Sequence, residues 1–413
     1  MFKRIPGTRD ILPEQVENWQ RLESISRSIF STYNFQEIRP PLIEEASLFN
    51  RSLGEATEIV QKQMFIIKSA SDAYALRPEA TASIVRAYIE NNLDKVSKFV
   101  KVYYMGPMFR MERPQKGRLR QFHHIGCEAI GSQEAAIDVE VISLADTLLK
   151  EFSITGYTIK INSLGCSKDK AALTETLRNG LKSKLQDLCD DCKVRFDRNV
   201  LRVLDCKNER CQEIVKGLNI KDYLCPECSG HFLKVRQGLD ALEVKYEVSE
   251  FLVRGLDYYT RTVFEIIHPD LGPQQNALGA GGRYDNLVKE LDGPEAGAVG
   301  FAFGVERLLL VLGDKPAEAR KNLAFIITLG DEAKLFGLKL LADLRGSGMP
   351  SDTDYENKSL KGAMRKADDA KARFVIIIGD NELKNNSVML KDMASGEQKE
   401  VKADNLIEEL KKT

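Results

Sequence analysis

A chain of 413 residues with 43% hydrophobic content exceeds what one core usually holds, which points to two or three domains. Its 60 basic and 61 acidic residues leave a formal charge of −1, excluding a global basic field that would draw the chain to nucleic acid, so any such contact must come from local patches. No apolar run approaches the roughly 18 residues of a membrane span, and the N-terminal stretch lacks the apolar core of a secretory signal. A cytoplasmic location without membrane contact is expected, with the eight cysteines held as reduced thiols or metal ligands.

From Glu14 to Tyr33, apolar Val16, Trp19, Leu22, Ile25, Ile29 and Phe30 recur at spacings of three and four, which predicts an amphipathic helix. Phe35 to Ile38 reads as a strand ended by Pro40 and Pro41, a pair barred from a central ladder but suited to an interface. Ala73 to Leu76 predicts a short strand. It runs through Arg77-Pro78-Glu79 into a helix over Ala80 to Ile89, with the proline in the first helical turn. Strands are predicted over Phe99 to Met105 and Gln121 to Ile130, joined as a hairpin by the polar stretch MERPQKGRLR.

Residues 166–235 carry seven of the eight cysteines amid charged helical sequence and read as an insertion domain. Thr262 to Ile267, the glycine-rich ALGAGGRYDNL and Val299 to Phe303 then suggest strands and turns, followed by a helix from Val305. This order fits an antiparallel sheet rather than a doubly wound one. From Asn322 the style changes to strand LAFIITL, helix Ala333 to Leu344, helix Ser359 to Ala370, strand RFVIIIG and a closing helix over Leu406 to Leu410. That is a compact α/β module. The expected domains are 1–321, containing the insertion 166–235, and 322–413.

The chain has no GxxxxGK[ST] loop and no GxGxxG between strand and helix. If it binds nucleotides, arginines must take the place of a phosphate loop, since each guanidinium presents a planar donor fork to phosphate oxygens. Two segments offer them: GPMFRMERPQKGRLRQFHHIGCE, from Gly106 to Glu128, and GFAFGVERLLLVL, from Gly300 to Leu312. In order, these resemble motifs 2 and 3 of class II aminoacyl-tRNA synthetases, and FQEIRPPLIEEASLF resembles motif 1. The resemblance implies an α+β fold: an antiparallel sheet flanked by helices, with a helical insertion and a C-terminal anticodon-binding α/β domain. It further implies ATP with Mg²⁺ as nucleotide and a homodimer. By the same likeness Arg110 grips the α-phosphate, Phe122 stacks on adenine, Arg118 contributes from the loop, and Arg307 reaches the γ-phosphate.

LVRGLDYYTRTVFEI, Leu252 to Ile266, and ALGAGGRYDNLV, Ala277 to Val288, are similar to the two segments particular to histidyl-tRNA synthetases. An imidazole needs one partner for each ring nitrogen, and a carboxylate with a phenol meets that need. The resemblance places these on Glu128 and Tyr259, with Tyr258 as a second aromatic wall. Glu79 and Thr81, from the LRPEATA match, would hold the α-ammonium group of L-histidine. Arg254 would hold its carboxylate and the α-phosphate as charge builds at phosphorus. Where the family shows QFHQ this chain reads QFHH. His124 therefore stands at a contact normally made by glutamine, either touching substrate or pairing with a neighbouring carboxylate. The resemblance implies tRNA(His) as partner. Its silent relatives, regulatory subunits in histidine biosynthesis, lose the arginine-tyrosine segment and the tail module, and both are present here.

The insertion pattern is Cys189-x2-Cys192, Cys206-x4-Cys211 and Cys225-x2-Cys228. Paired CxxC knuckles commonly signal tetrahedral Zn²⁺. Cys189, Cys192, Cys225 and Cys228 could form a structural site, with Cys206 and Cys211 as substitutes; reduced buried thiols are the alternative. Lys182, Lys184, Lys193, Arg195, Arg198 and Arg202 offer a basic surface for a tRNA acceptor stem. Lys358, Lys361, Arg365, Lys366 and Lys371 offer one to the anticodon region.

Overall fold

The computed structural model describes residues 2–54, 57–68, 72–218, 220, 223–272, 276–313, 322–356 and 358–412. The chain divides into two compact units, Met1–Lys315 and Pro316–Thr413. The expected boundary at residue 321 lies outside the described residues.

The first unit contains strands β1 (Gln36–Glu37), β2 (Ile43–Glu45), β3 (Phe65–Lys68), β4 (Ala73–Leu76), β5 (Val100–Phe109), β6 (Gln121–Ile130), β7 (Thr158–Ser163), β8 (Glu247–Val248), β9 (Thr260–Ile267), β10 (Ala277–Arg283) and β11 (Ala298–Gly304). Eight of them form one sheet in the order β1-β5-β6-β11-β10-β9-β7-β8, and β2-β4-β3 make a small second sheet. The central pairings are antiparallel, as expected, while both edges are parallel: β1 against β5 and β7 against β8. The fold is thus the class II synthetase sheet with mixed edges. β5 runs on through Pro107, past the two-residue edge strand β1. There the missing proline N–H leaves no ladder bond unmade.

Alternation along the strands divides the sheet into two chemically different faces. Ile125, Cys127 and Ala129 of β6, Val299, Phe301 and Phe303 of β11, and Phe264 and Ile266 of β9 join one buried apolar cluster with Trp19, Leu22, Phe30, Ile142 and Leu148. The last five come from the helices Pro13–Thr32 and Ala135–Glu151. Burial at Trp19, Leu22, Ser26 and Phe30 follows the spacing of three and four read from the sequence. At about 25 cal/mol per Å² of apolar area removed from water, these helices stabilise the sheet, and they leave its opposite face free for chemistry.

Several elements arise from contacts between distant segments. The fully buried Arg283 pairs with Asp138 and Asp285. The same Asp138 accepts from Thr262 at 2.6 Å and contacts His231 Nε2 at 2.8 Å. This network ties the GAGGRYD segment to the helix beneath the sheet and to the last insertion helix. Both carboxylates are paired with the one guanidinium, as buried ions must be. Arg77, also buried, donates to the carbonyl oxygens of Pro107 and Pro40, each at 3.0 Å, and so fixes the first proline of the motif 1 segment.

The insertion consists of helices Ser167–Lys182, Asp190–Arg198, Glu209–Lys216 and Pro226–Ala241 with short 3₁₀ turns between them. Leu173, Leu177, Leu181, Val200 and Val203 share one apolar cluster with Ala75, Tyr88, Tyr258 and Tyr259, so the insertion packs onto the sheet-bearing body.

The second unit is a five-stranded sheet, in which Ala324–Thr328 lies parallel to Ser351–Thr353 and Phe374–Ile378, and a hairpin of Ser387–Asp392 and Gln398–Lys402 continues it antiparallel. Helices Asp331–Gly346 and Leu406–Lys411 cover one apolar cluster, and Leu360–Asp369 covers another.

Candidate active site

On the free face of the large sheet, residues 122, 124, 126 and 128 of β6 point the same way, next to residues 300, 302 and 304 of β11. Small side chains there leave space. A Cβ at Gly300 would lie 1.8 Å from Glu128 Oε2, and one at Gly126 would lie 2.7 Å from the Tyr104 hydroxyl. The result is a cavity of about 200 Å³. Of the residues singled out from the sequence, Glu79, Arg110, Arg118, Phe122, His124, Arg254, Tyr258, Tyr259 and Arg307 all line it.

Arg110 follows the last residue of β5. Its Nε donates to the Pro78 carbonyl at 2.9 Å, and its guanidinium carbon sits 5.2 Å from the centre of the Phe122 ring. Burial pulls its pKa below the ordinary value, leaving a guanidinium that gains from an incoming anion. Arg118 pairs with Glu112 at 2.7 Å. Arg307, in the first turn of the helix Val305–Leu312, donates through Nε to Gly117 at 3.1 Å and through NH1 to Ala277 at 2.7 Å. One arginine thus clasps both the motif 2 loop and β10. Arg254 donates to Glu265 at 2.8 Å, while its Nε is buried without a hydrogen-bond partner. Burial is the largest single influence and works against its charge, but Glu265, Tyr259 and Asp205 together outweigh it and the pKa rises.

Glu79 sits between β4 and the helix Thr81–Glu90. Pro78 lies ahead of that helix, not in its first turn as the sequence suggested, and the Glu79 carboxylate accepts the backbone N–H groups of Thr81 at 2.7 Å and Ala82 at 3.0 Å. It therefore caps the helix, and burial raises its pKa against those two bonds. Thr81 and Glu128 lie behind the cavity wall, bonded to each other: Thr81 Oγ1 donates to Glu128 Oε1 at 2.7 Å. The second Glu128 oxygen accepts from the Tyr284 hydroxyl at 2.5 Å. Burial pushes Glu128 up to about 8.

His124 carries a shielded Nδ1 without a hydrogen-bond partner. Burial first, then Arg110 and Arg307, hold its pKa well below the ordinary 6.5, so the ring is neutral with one donor and one acceptor. The carboxylate-paired histidine is its neighbour: His123 Nδ1 lies 3.0 Å from Glu306 Oε1. Tyr258 and Tyr259 pack with ring centres 4.7 Å apart and planes tilted by 49°, and Tyr284 meets Tyr258 edge-on at 5.7 Å.

Sequence reasoning passed over Tyr284, Lys170 and Asn199. Tyr284 stood in the GGRYD segment, but nothing local marked its hydroxyl as the partner of Glu128. Lys170 Nζ donates to the carbonyl oxygens of Asp257 and Tyr259, each at 3.0 Å, and Asn199 Nδ2 donates to Asp257 Oδ1 at 2.8 Å. The pairing of these insertion residues with the tyrosine loop has no local signature.

The cysteine set needs correction. Cys189 and Cys192 do not meet Cys225 and Cys228 in one site. The former pair clusters with Cys206 and Cys211, and the latter pair clusters with Cys166 and Asp169. Each CxxC opens a different helix, Asp190–Arg198 or Pro226–Ala241, so sequence proximity could not say which knuckle faces which. The basic surface of the insertion is also partly engaged, with Arg198 bonded to Gln61 at 2.9 Å and Arg202 3.9 Å from Glu58. In the second unit Lys366 is held by Asp354 at 2.7 Å and Lys358 by Glu356 at 3.0 Å, leaving Lys361 and Arg365 exposed.

A family model described as histidyl-tRNA synthetase matches residues 7–308, and one described as anticodon binding domain matches residues 323–413. A histidine–tRNA ligase of Geobacter sulfurreducens is 45% identical, covering 97% of this chain and 97% of its own length; one of Clostridium perfringens is 44% identical, covering 96% of each. The crystal structure of apo S. aureus histidyl-tRNA synthetase superimposes with a TM-score of 0.83 at 35% identity, over 100% of both chains. With the class II sheet, its arginine-lined cavity and these relatives in agreement, the chain belongs to the histidyl-tRNA synthetase family.

Proposed function

We propose that the cavity activates L-histidine with ATP and loads it onto tRNA(His). The family assignment supports histidine–tRNA ligase as the activity. The observation that carries the assignment of residues is the convergence of Arg110, Arg118, Arg254 and Arg307 with Glu79, His124, Tyr258 and Tyr259 around one cavity. A silent regulatory paralogue would have no use for this set, nor for the second unit.

In this reading Phe122, backed by Arg110, stacks on adenine, and Arg307 takes the γ-phosphate while Arg110 and Arg254 flank the α-phosphate. Mg²⁺ would be held mainly by phosphate oxygens and water, and of the cavity carboxylates Glu112, next to Arg110 and Arg118, is placed to join it; the ion would draw charge from the phosphates. The histidine carboxylate attacks the α-phosphorus in line, giving histidyl-adenylate and pyrophosphate, and the terminal ribose hydroxyl of the tRNA then attacks the acyl carbon. Positioning and charge stabilisation suffice for such a transfer. Glu79, anchored by two backbone N–H groups, keeps lone pairs for the α-ammonium group, to which the unpartnered His124 Nδ1 adds an acceptor. Tyr259, and Glu128 through its bonds to Thr81 and Tyr284, would read the imidazole.

The chain would act as a homodimer in the cytoplasm. Ile43 and Ile67 are exposed on one face of the small sheet, with exposed Leu42 beside them after the proline pair, and such an apolar surface favours a second copy. The decisive experiment is ATP–pyrophosphate exchange with each of the twenty amino acids. Exchange with histidine alone is expected, and exchange with none would favour the regulatory paralogue.

A further inference from the structure

Four of the cysteines converge where the active-site chemistry has no use for them. The Sγ atoms of Cys189, Cys192, Cys206 and Cys211 all lie within 4.8 Å of one another, and Cys189 and Cys206 are 3.7 Å apart. A disulfide requires about 2.05 Å. Four thiolates around Zn²⁺ at about 2.3 Å would be separated by tetrahedron edges of about 3.8 Å, which the Cys189–Cys206 spacing matches. Three of the four are buried, and two already receive backbone donors: Cys189 N–H points to Cys211 Sγ at 3.2 Å and Asn208 N–H to Cys206 Sγ at 3.4 Å. Donors of this kind suit sulfurs that carry negative charge.

The second cluster differs. Asp169 accepts the backbone N–H of Cys225 at 3.0 Å through one oxygen and that of Cys166 at 3.2 Å through the other. These bonds bring the ends of the insertion together without an ion.

We propose that Cys189, Cys192, Cys206 and Cys211 form a closed Zn²⁺ site that braces the middle of the insertion against the loop carrying Tyr258 and Tyr259. Binding exchanges four thiol protons for one Zn²⁺ and leaves no open position, so the ion is structural. The ligands flank the segment 193–205, which carries Asn199, and Asn199 holds Asp257, the residue before Tyr258. Without the ion, the helices Asp190–Arg198 and Glu209–Lys216 and the turn between them would be held by apolar packing and hydrogen bonds without a covalent-strength tie, and the Asn199–Asp257 bond would lose part of its support.

The test compares the full chain, purified under reducing conditions from zinc-supplemented cells, with Cys206→Ser/Cys211→Ser and Cys166→Ser/Cys225→Ser double variants. The parent is expected to hold a zinc ion that the first variant lacks and the second retains. Cobalt exchanged into the parent should give the visible absorption of a tetrahedral thiolate site, absent from the first variant and present in the second. A parent without zinc, a first variant that keeps all of the parent's zinc, or a Cys189–Cys206 disulfide in the parent would overturn the site. Should the first variant fail to fold, chelation of the parent decides. A Tm lowered on stripping and restored by Zn²⁺ but not Mg²⁺ is expected, and an unchanged Tm after complete stripping would refute the structural role. In exchange assays the stripped enzyme should show KM for histidine raised several-fold with KM for ATP nearly constant, and equal changes in both would refute the bracing of the tyrosine loop.

Discussion

Lys170 Nζ lies 3.0 Å from the carbonyl oxygen of Tyr259 and donates to it, while a second donor position serves Asp257 at the same distance. A lysine from the first insertion helix thus holds the backbone of the loop that carries the two cavity tyrosines. Burial lowers its pKa, and the charges of Asp257 and Glu290 act against that. Lys170→Met should lower kcat/KM for histidine by about 10- to 100-fold, the range for loss of a charged hydrogen bond, and mainly through KM. Lys170→Arg should recover part of it. Steady-state exchange kinetics separate the two parameters, and equal loss in both variants with a collapsed Tm would mean a purely structural lysine.

Arg254, like Arg118, is held by a carboxylate, here Glu265, but its Nε is left buried and unpaired. In the proposed activation step such a group would meet the charge that develops at the α-phosphorus. Arg254→Ala should reduce adenylate formation by about 10²- to 10³-fold, with a much smaller change in ATP binding. Single-turnover adenylate formation and equilibrium ATP binding check this, and an unchanged exchange rate would contradict the role.

Glu128 titrates at about 8 in the folded chain against an ordinary 4.5, because burial outweighs the bonds from Tyr284 and Thr81. The folded chain therefore binds this proton more tightly than the unfolded one. Its contribution to stability is complete below pH 4.5 and is lost as pH rises to 8, with a slope of up to about 1.4 kcal/mol per pH unit. Between pH 5 and 8 the ligand-free Tm of Glu128→Gln should fall less steeply than that of the parent. Parallel curves from calorimetry would remove Glu128 as the titrating group.

Lys361 and Arg365 share one exposed face of the helix Leu360–Asp369, whereas Lys358 and Lys366 are committed to acidic neighbours. Replacing Lys361 and Arg365 with alanine should weaken tRNA binding several-fold, more at low salt than at high salt. Pyrophosphate exchange should be unchanged. A binding assay showing full tRNA affinity would assign these residues to a solvated surface.

Features with local causes were readable in advance. The amphipathic spacing of Trp19, Leu22 and Phe30, the alternation in Thr262 to Ile267, and the strand-to-helix change at Gly304 each depend on a few consecutive residues. So did the cavity residues, since Arg110, Phe122, His124 and Arg307 lie in contiguous segments whose order is itself informative. The helix Ala135–Glu151 and strand β7 went unread because nearly continuous burial erases periodicity.

What the sequence by itself determined was the sheet-and-helix class, the gathering of arginines at one cavity and the placing of Arg254 beside Tyr258 and Tyr259. Only the tertiary structure decided which partners distant groups acquire. It joined Glu128 to Tyr284 rather than leaving it open to the cavity, made Glu79 a helix cap, brought Lys170 and Asn199 to the tyrosine loop, and sorted seven cysteines into two clusters. The reason is physical: backbone periodicity and turn chemistry act over a few residues, whereas hydrogen bonds and thiol clusters form between side chains that only the packed core brings within reach.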